Sequence, residues 1–510
     1  MADPPALSER GSRTAVNLAY YGLAQVANAM LALVLVGLLS RALGTGGFGA
    51  FSFSFVVASF GALLADFGVG PWLTRAAAQY AGQATLLLSE AFRLRALTSV
   101  AAGALTLLLA GLYLHDAGRL SQVACMLAYV FLLGYVGVYE AMLMGKERAD
   151  RVAISMGAGK GLELTAVLAW VATGAAGNVA GAAVALATAT AARLLLVRAM
   201  TRGALRATGE LPAGRPPARD PGLERDARRR MLREALPFAA GSVVWTTYFK
   251  VDVLILERLG TATGLGLYTA AYRVLEALVL FPRSVAGVVY PVVSAAWSQK
   301  TLTASLLSRP ARALMALALA CAAGIWVLSP GIMRFLFGPS FAGGAGALRV
   351  LGLALVPLFL NYLLGMVLSA THRQGTWLWL TLLGFVVNVA ANLMLIPRLG
   401  FEGAAWATLA SEGFMLLLLG VAVVPRHGRL LSFGWLARAA VAAAAMGVVV
   451  SYVPGPLAAR IAAGAGAFLL LVAGLRVVLP ADWRVALELA RKARARAMPE
   501  TREAARRPQE

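Results

Sequence analysis

The sequence predicts an all-α integral membrane protein with about 14 transmembrane helices, and three observations carry that prediction. Hydrophobic residues make up 60% of the 510-residue chain and charged residues only 14%, against about 45–50% and about 25% in soluble proteins. Mean hydropathy is +0.74. Apolar runs close to the roughly 20 residues that cross a bilayer recur along most of the chain. A soluble chain of this length could not hide so much apolar surface. The same numbers exclude disordered, collagenous and disulfide-stapled classes.

The runs fall at 16–39, 49–71, 91–112, 121–144, 152–172, 178–199, 235–257, 265–292, 310–329, 346–369, 376–396, 402–424, 435–453 and 457–479. The first follows Arg10 and Arg13 but is too long for the core of a cleaved signal peptide, so it is read as an uncleaved span. The fifth, sixth and fourteenth are rich in Ala and Gly. Pro282 and Pro291 lie in the eighth and are expected to bend it or free backbone groups. The organisation that follows is an N-terminal six-helix lobe (1–199), a basic linker (200–234) and a C-terminal six-helix lobe (235–425). Two additional helices (426–479) and a basic tail (480–510) complete the chain.

Net charge is +22, which raises the question of nucleic acid. Placement answers it. With most Lys and Arg near the end of a run counted with the adjoining segment, 33 of the 46 fall on the side of the N-terminus and seven on the other side, and Lys160, Arg193, Lys250, Arg273, Arg283 and Arg476 remain within runs. This bias predicts both termini in the cytoplasm. The linker carries Arg228, Arg229 and Arg230 but no interleaved aromatics, so anionic lipid headgroups are its expected neighbours rather than nucleic acid. From Trp483 to Met498 the tail alternates apolar and basic residues and reads equally as a surface helix or a solvated tail. Cys125 and Cys321 sit in apolar runs, and His115, His372 and His427 are scattered. Neither set gives a disulfide framework or a metal site.

The halves resemble each other at a fixed offset. Leu43-Gly44 and Gly49-Ala50-Phe51 match Leu259-Gly260 and Gly266-Leu267-Tyr268; Gly181-Ala182-Ala183 matches Gly403-Ala404-Ala405. Six spans per repeat is an even number, so the repeats insert in parallel. In such transporters the substrate site lies near the interface of the halves and access alternates by rocking. Two nucleotide-type motifs fail on context. Gly44-Thr45-Gly46-Gly47-Phe48-Gly49 joins two apolar runs with no strand before it, and a tight turn accounts for it. Gly159-Lys160 is followed by Gly161 rather than Ser or Thr.

Ionisable groups inside the membrane cost free energy and mark cavities or partners. Lys250 with Thr246 and Glu257, and Arg273 with Glu276 and Arg283, form one-face stripes on the seventh and eighth runs. Lys250 and Arg273 fall at similar depth. Two cations with one nearby acid, Glu276, suggest a cavity for an anionic group such as a pyrophosphate. Asp252 lies close in sequence but on another face. In the first half Thr14, Asn17, Tyr21, Gln25 and Asn28 form a polar stripe, Asp66 lies deep in the second run, and Lys160 and Glu163 are one turn apart. Thr381, Asn388 and Asn392 share a face of the eleventh run. Substrate-binding candidates are Lys250, Arg273, Glu276, Gln25, Asn28, Asn388 and Asn392, although the two later asparagines read equally as interhelical hydrogen bonds.

The stretch from Asn388 through Asn392, Pro397, Gly400, Gly403 and Thr408 to Glu412 resembles that of the polysaccharide-biosynthesis flippases of the Wzx type. Arg41 to Gly44 with Phe48-Gly49, Asp66-Phe67-Gly68, and Asp252 followed by Gly260 and Tyr268 agree with it. These flippases share a superfamily with multidrug-and-toxin-extrusion antiporters and the lipid II flippase. The resemblance covers most of residues 10–425. It implies two lobes in a V around a central cavity. It also implies export of an undecaprenyl-diphosphate-linked oligosaccharide across the bacterial inner membrane, with polysaccharide polymerase and assembly proteins as candidate partners. No cofactor is implied; a coupling ion, H+ or Na+, would have Asp66 or Glu276 as candidate sites.

A lipid II flippase or a drug/cation antiporter on the same fold are the alternatives. The antiporter would line its site with unpaired acids, whereas Lys and Arg are as prominent here. A membrane glycan polymerase or ligase would need a sizeable catalytic loop outside, and the largest external loop is 330–345. A scaffold of a glycan-synthesis complex is compatible with the same sequence.

Overall fold

The computed structural model describes residues 7–80, 82–210, 246–428 and 430–477, which form helices with no strand among them. Residues 211–245, which hold most of the basic linker and the start of the seventh run, and the basic tail lie outside the described residues. In chain order the helices are α1 (Leu7–Asp66), α2 (Val69–Gln79), α3 (Ala84–Leu114), α4 (Ala117–Gly145), α5 (Ala149–Ala172) and α6 (Val179–Ala207). The second half holds α7 (246–259), α8 (Ala262–Leu278), α9 (Leu280–Ser298), α10 (Ala304–Phe337), α11 (Ala345–Ala370), α12 (Gln374–Leu399) and α13 (Phe401–His427). The appended pair is α14 (Phe433–Tyr452) and α15 (Leu457–Gly474).

Among the described residues, 12 stretches are long and apolar enough to cross a membrane. Two of the fourteen expected runs share one of them, Ala24–Gln79, and the seventh is described only from residue 246. The chain is therefore a multi-pass membrane protein. Exposed Leu97, Val100, Leu108 and Leu112 share one face of α3, and a bilayer is the solvent that accepts such a face.

Breaks between limbs follow local chemistry. The turn expected at 44–49 shrinks to one residue, Gly44, whose φ of 68° and ψ of 177° kink α1 into two limbs; only glycine takes this conformation without a Cβ penalty. The eighth run breaks at Val279 into α8 and α9. Pro282, three residues on, has no N–H for the Leu278 carbonyl and crowds it. Asp116, Asn178 and Thr261 cap α4, α6 and α8 by accepting N–H groups of Gly118, Gly181 and Gly264, satisfying donors that the helix leaves open. The sixth helix continues past residue 199, to Ala207.

The internal repeat is visible in the packing. In the first lobe α4 packs on α6, α5 on α6 and α3 on α4; in the second α11 packs on α13, α12 on α13 and α10 on α11. The lobes meet where α1 crosses α8, with further contact from α1 to α10, whereas α9 packs on α10 and α11 of its own lobe. At the crossing, a Cβ on Gly49 would lie 2.2 Å from the Ala262 carbonyl oxygen, and one on Gly266 would lie 1.9 Å from the Thr45 carbonyl oxygen. These are reciprocal contacts: each glycine meets the carbonyl four residues before its counterpart, as a two-fold relation between repeats requires. Nearby, Ser40 Oγ donates to the Phe337 carbonyl at 3.4 Å, Phe48 meets Phe341 edge-on at 5.9 Å, and Arg119 pairs with Glu257. The pair α14–α15 packs on α10.

G266V is expected to wedge this crossing open, because overpacking a tight contact costs about 1–3 kcal/mol. With R119C and E257C as reporters, cross-linking between the lobes by a short bis-maleimide, which spans the length of an Arg–Glu pair where a disulfide cannot, should fall about tenfold on adding G266V. Unchanged cross-linking would mean that the glycine crossing does not hold the lobes.

Candidate functional site

Lys250 lies ten residues before Gly260, and Arg273 twelve residues after Thr261. At 1.5 Å rise per residue both sit about 15–18 Å from the same end of the molecule. Glu276 follows one turn after Arg273 on α8, so it faces the same way. Its Oε2 receives Arg273 Nη1 at 2.7 Å, and its Oε1 receives Lys250 Nζ at 2.6 Å. Two cations thus share one carboxylate, and the cluster keeps one net positive charge. All three side chains are part-exposed, at 20%, 23% and 32% for Lys250, Arg273 and Glu276.

Aromatic rings frame the two cations. Lys250 Nζ lies 5.6 Å from the Tyr272 ring, and the Arg273 guanidinium 5.6 Å from the Phe55 ring, both cation–π distances. Phe55 belongs to α1, so Arg273 reaches across the lobe boundary. Lysine carries three N–H donors and arginine five. Each commits one to Glu276, leaving donors for a further anion. Asp252, two residues from Lys250, is buried elsewhere; it accepts from the Tyr268 hydroxyl and from the Val253 N–H.

The other expected site residues go to different places. Asn388 and Asn392 are buried, and Asn388 faces α13. Asn388 Nδ2 donates to Ser411 Oγ at 2.9 Å, and Asn392, 0% exposed, donates to the Asn388 carbonyl at 2.9 Å. The Asn388–Ser411 bond joins α12 to α13, whereas the Asn392 bonds stay within α12 and its Oδ1 is buried without a partner among the described residues. Gln25 and Asn28 are half-buried on the first limb of α1, roughly 24–29 Å from the Gly44 kink and thus deeper than the cations. Asp66 ends α1 and pairs with Arg95 of α3. Thr14, Asn17 and Tyr21 have side chains outside the described residues.

Sequence spacing did not reveal the cross-helix pairs. Arg95 is 2% exposed, and a Cβ on Gly134 of α4 would lie 1.7 Å from its Nη2. Arg193 of α6 pairs with Glu140 of α4 at 2.7 Å, and Ser155 of α5 donates to the same carboxylate at 2.7 Å. Lys160 pairs with Glu163 at 2.6 Å, while Tyr129 donates to Glu163 at 3.3 Å. Glycine at 134 and 159 is the sequence trace of these buried guanidiniums, since a Cβ on Gly159 would lie 2.4 Å from Arg193 Cδ.

A separate cavity of about 350 Å³ lies within the second lobe, walled by Tyr248, Phe249, Tyr290, Tyr362 and Trp377 around Glu412. Glu412 accepts from Tyr248 at 3.1 Å and from Asn361 at 2.8 Å.

The sequence matches the family described as "Polysaccharide biosynthesis protein" over residues 15–297, more than half of the chain. It is 31% identical over 167 residues to the probable low-salt glycan biosynthesis flippase Agl15 of Haloferax volcanii, a match spanning 32% of this chain and 35% of that relative's length. Among solved structures, the lipid II flippase MurJ in an inward closed conformation superposes with a TM-score of 0.71 at 12% identity, covering 88% of this chain and 97% of its own. An inward-facing multidrug resistance MATE family transporter of the MOP superfamily gives 0.60 at 18% identity, covering 77% and 93%. The fold is thus that of these membrane transporters.

G134A should lower the thermal unfolding midpoint of the purified protein, because its methyl meets the Arg95 guanidinium; the cost of such overpacking is about 1–3 kcal/mol. G157A, whose Cβ meets nothing within 4 Å, should leave the midpoint unchanged or raise it. Equal midpoints for G134A and wild type would contradict the packing of Arg95.

Proposed function

The chain belongs to the polysaccharide biosynthesis protein family, and from that premise we propose that it flips an undecaprenyl-diphosphate-linked oligosaccharide from the inner to the outer leaflet of the bacterial inner membrane. The observation that carries this reading is the shared-carboxylate cluster of Lys250, Arg273 and Glu276 at the lobe boundary. One net positive charge, with a planar guanidinium and a compact ammonium side by side, suits a diphosphate. The polyprenyl tail stays in the bilayer and the glycan crosses between the lobes.

Alternating access supplies the movement. With both termini cytoplasmic, as the Lys and Arg bias indicates, the α1–α8 crossing closes the outer end of the cleft. Opening that end means separating Gly49 and Gly266 from the facing carbonyls and releasing the Arg119–Glu257 pair. Arg273 is the natural reporter of that motion because its guanidinium touches both lobes. A diphosphate at the cluster competes with Glu276 for both cations, so cargo binding loosens contacts that hold Arg273 in place. Asp66 and Glu276 already have cationic partners, which makes them poorer candidates for a coupling-ion site than their positions in the sequence suggested.

The same cluster would serve lipid II, whose fold relative superposes well, so the cargo glycan is decided by experiment. In proteoliposomes a labelled polyprenyl-diphosphate oligosaccharide should move to the opposite leaflet only when the protein is present. K250Q/R273Q should abolish that movement, at least about 100-fold in rate if the two charge-assisted contacts add, while membrane insertion is kept. Full activity in the double variant would sink the cavity assignment. Movement of lipid II in place of the oligosaccharide would reassign the cargo.

A further inference from the structure

The inner ends of α10 and α14 meet around a cation that the transport cluster does not use. Arg312 lies on the third turn of α10, and its guanidinium sits 6.0 Å from the Trp435 ring of α14. Its Nε is buried and makes no hydrogen bond, and no carboxylate pairs with it among the described residues. Trp435 is itself fixed: it is buried and donates through Nε1 to the Val477 carbonyl at 2.8 Å. Beside Arg312 opens a cavity of about 350 Å³, lined by Ser305, Ser308, Arg312, Leu431, Ser432 and Phe433. Three serines and a guanidinium therefore line one space, with Ser308 Oγ donating to the Ser305 carbonyl at 3.0 Å and Ser305 Oγ 2.8 Å from Thr303 Oγ1, so both hydroxyls can turn to an anion by rotation about χ1.

The backbone adds to this. Ser432 is the N-cap of α14, lines the cavity and makes no side-chain capping bond, so the positive end of a 20-residue helix dipole lies beside the cavity. Phe433, next to it, is 87% exposed and presents an apolar surface at the cavity mouth. The Lys and Arg bias places this end of the molecule at the cytoplasmic face of the bilayer. No described residue supplies Arg312 with an acceptor, and an anion with several acceptor oxygens in the cavity would supply one to the rest of its guanidinium.

We propose that this cavity binds a phosphate group, held by Arg312, Ser305, Ser308 and the α14 N-terminus, as carried by an anionic phospholipid whose acyl chains lie along Phe433. The site is distant in the fold from Lys250 and Arg273 and does not rest on the flippase reading. It ties α14 and α15 to the second lobe through α10, so the occupant would act as a staple between the appended helices and that lobe.

The test is native mass spectrometry of the delipidated full-length protein titrated with dioleoyl-phosphatidylglycerol, with dioleoylglycerol as the phosphate-free control. Wild type should retain phosphatidylglycerol about tenfold more tightly than R312Q and should not retain dioleoylglycerol. R398Q, at the exposed opposite end, should match wild type. R312K keeps the charge without the planar fork, and its retention should fall below wild type even if R312Q does not insert. Thermal unfolding in inorganic phosphate separates the sources: protection of wild type but not R312K admits the free ion, and no protection assigns the site to the lipid. Equal retention by wild type and R312K, or retention of dioleoylglycerol as strong as that of phosphatidylglycerol, would overturn the proposal.

Discussion

A charge inside a membrane protein must find a partner, and here that constraint arranges the interior. Lys250 and Arg273 stand on neighbouring helices at one depth, and Glu276 is the single acid that answers both. Had each cation its own carboxylate, the cluster would be neutral and indifferent to cargo. Sharing leaves a surplus of one positive charge in a low-dielectric setting, where it acts at longer range than it would in water. The first lobe shows the complementary arrangement. Lys160 with Glu163 and Arg193 with Glu140 are matched one to one, so that side of the boundary adds structure without adding charge.

The cluster depends in turn on how the lobes meet. Arg273 touches Phe55 of α1 only because α1 and α8 cross closely enough for Gly49 and Gly266 to face backbone carbonyls. Larger residues at either position would move α8 and carry Arg273 with it. The kink at Gly44 and the break at Val279 aim the limbs of α1 and the α8–α9 pair. Electrostatics and geometry are thus coupled through a few backbone positions: what opens the crossing also changes the surroundings of the cation.

Much of this was legible in the sequence, for physical reasons. Bilayer thickness fixes span length, so the apolar runs gave the helices, and the even repeat gave parallel lobes. The paired motifs around Gly49 and Gly266 turned out to be the lobe crossing itself. Lys250, Arg273 and Glu276 were recoverable because two share a helical face and the third follows from depth. What spacing could not show was pairing between distant helices. Nothing in the sequence joins Arg95 to Asp66, or Arg193 to Glu140, because those contacts are set by packing of α3, α4 and α6. Asn388 and Asn392 stood open to two readings for the opposite reason. A polar face on a membrane helix marks a neighbouring helix as readily as a cavity, and here α13 covers it. The break at Val279 was foreshadowed by Pro282, but its position was not, since a proline disturbs the preceding turn rather than its own residue.

The most direct test of the central claim is equilibrium binding of undecaprenyl diphosphate, without glycan, to the purified protein by titration calorimetry. Wild type should bind it, and removing both cations in K250Q/R273Q should remove that binding while the fold, followed by circular dichroism, stays intact. Equal affinity for the two proteins would contradict the account, because the diphosphate would then be recognised somewhere other than the cluster that Glu276 holds together.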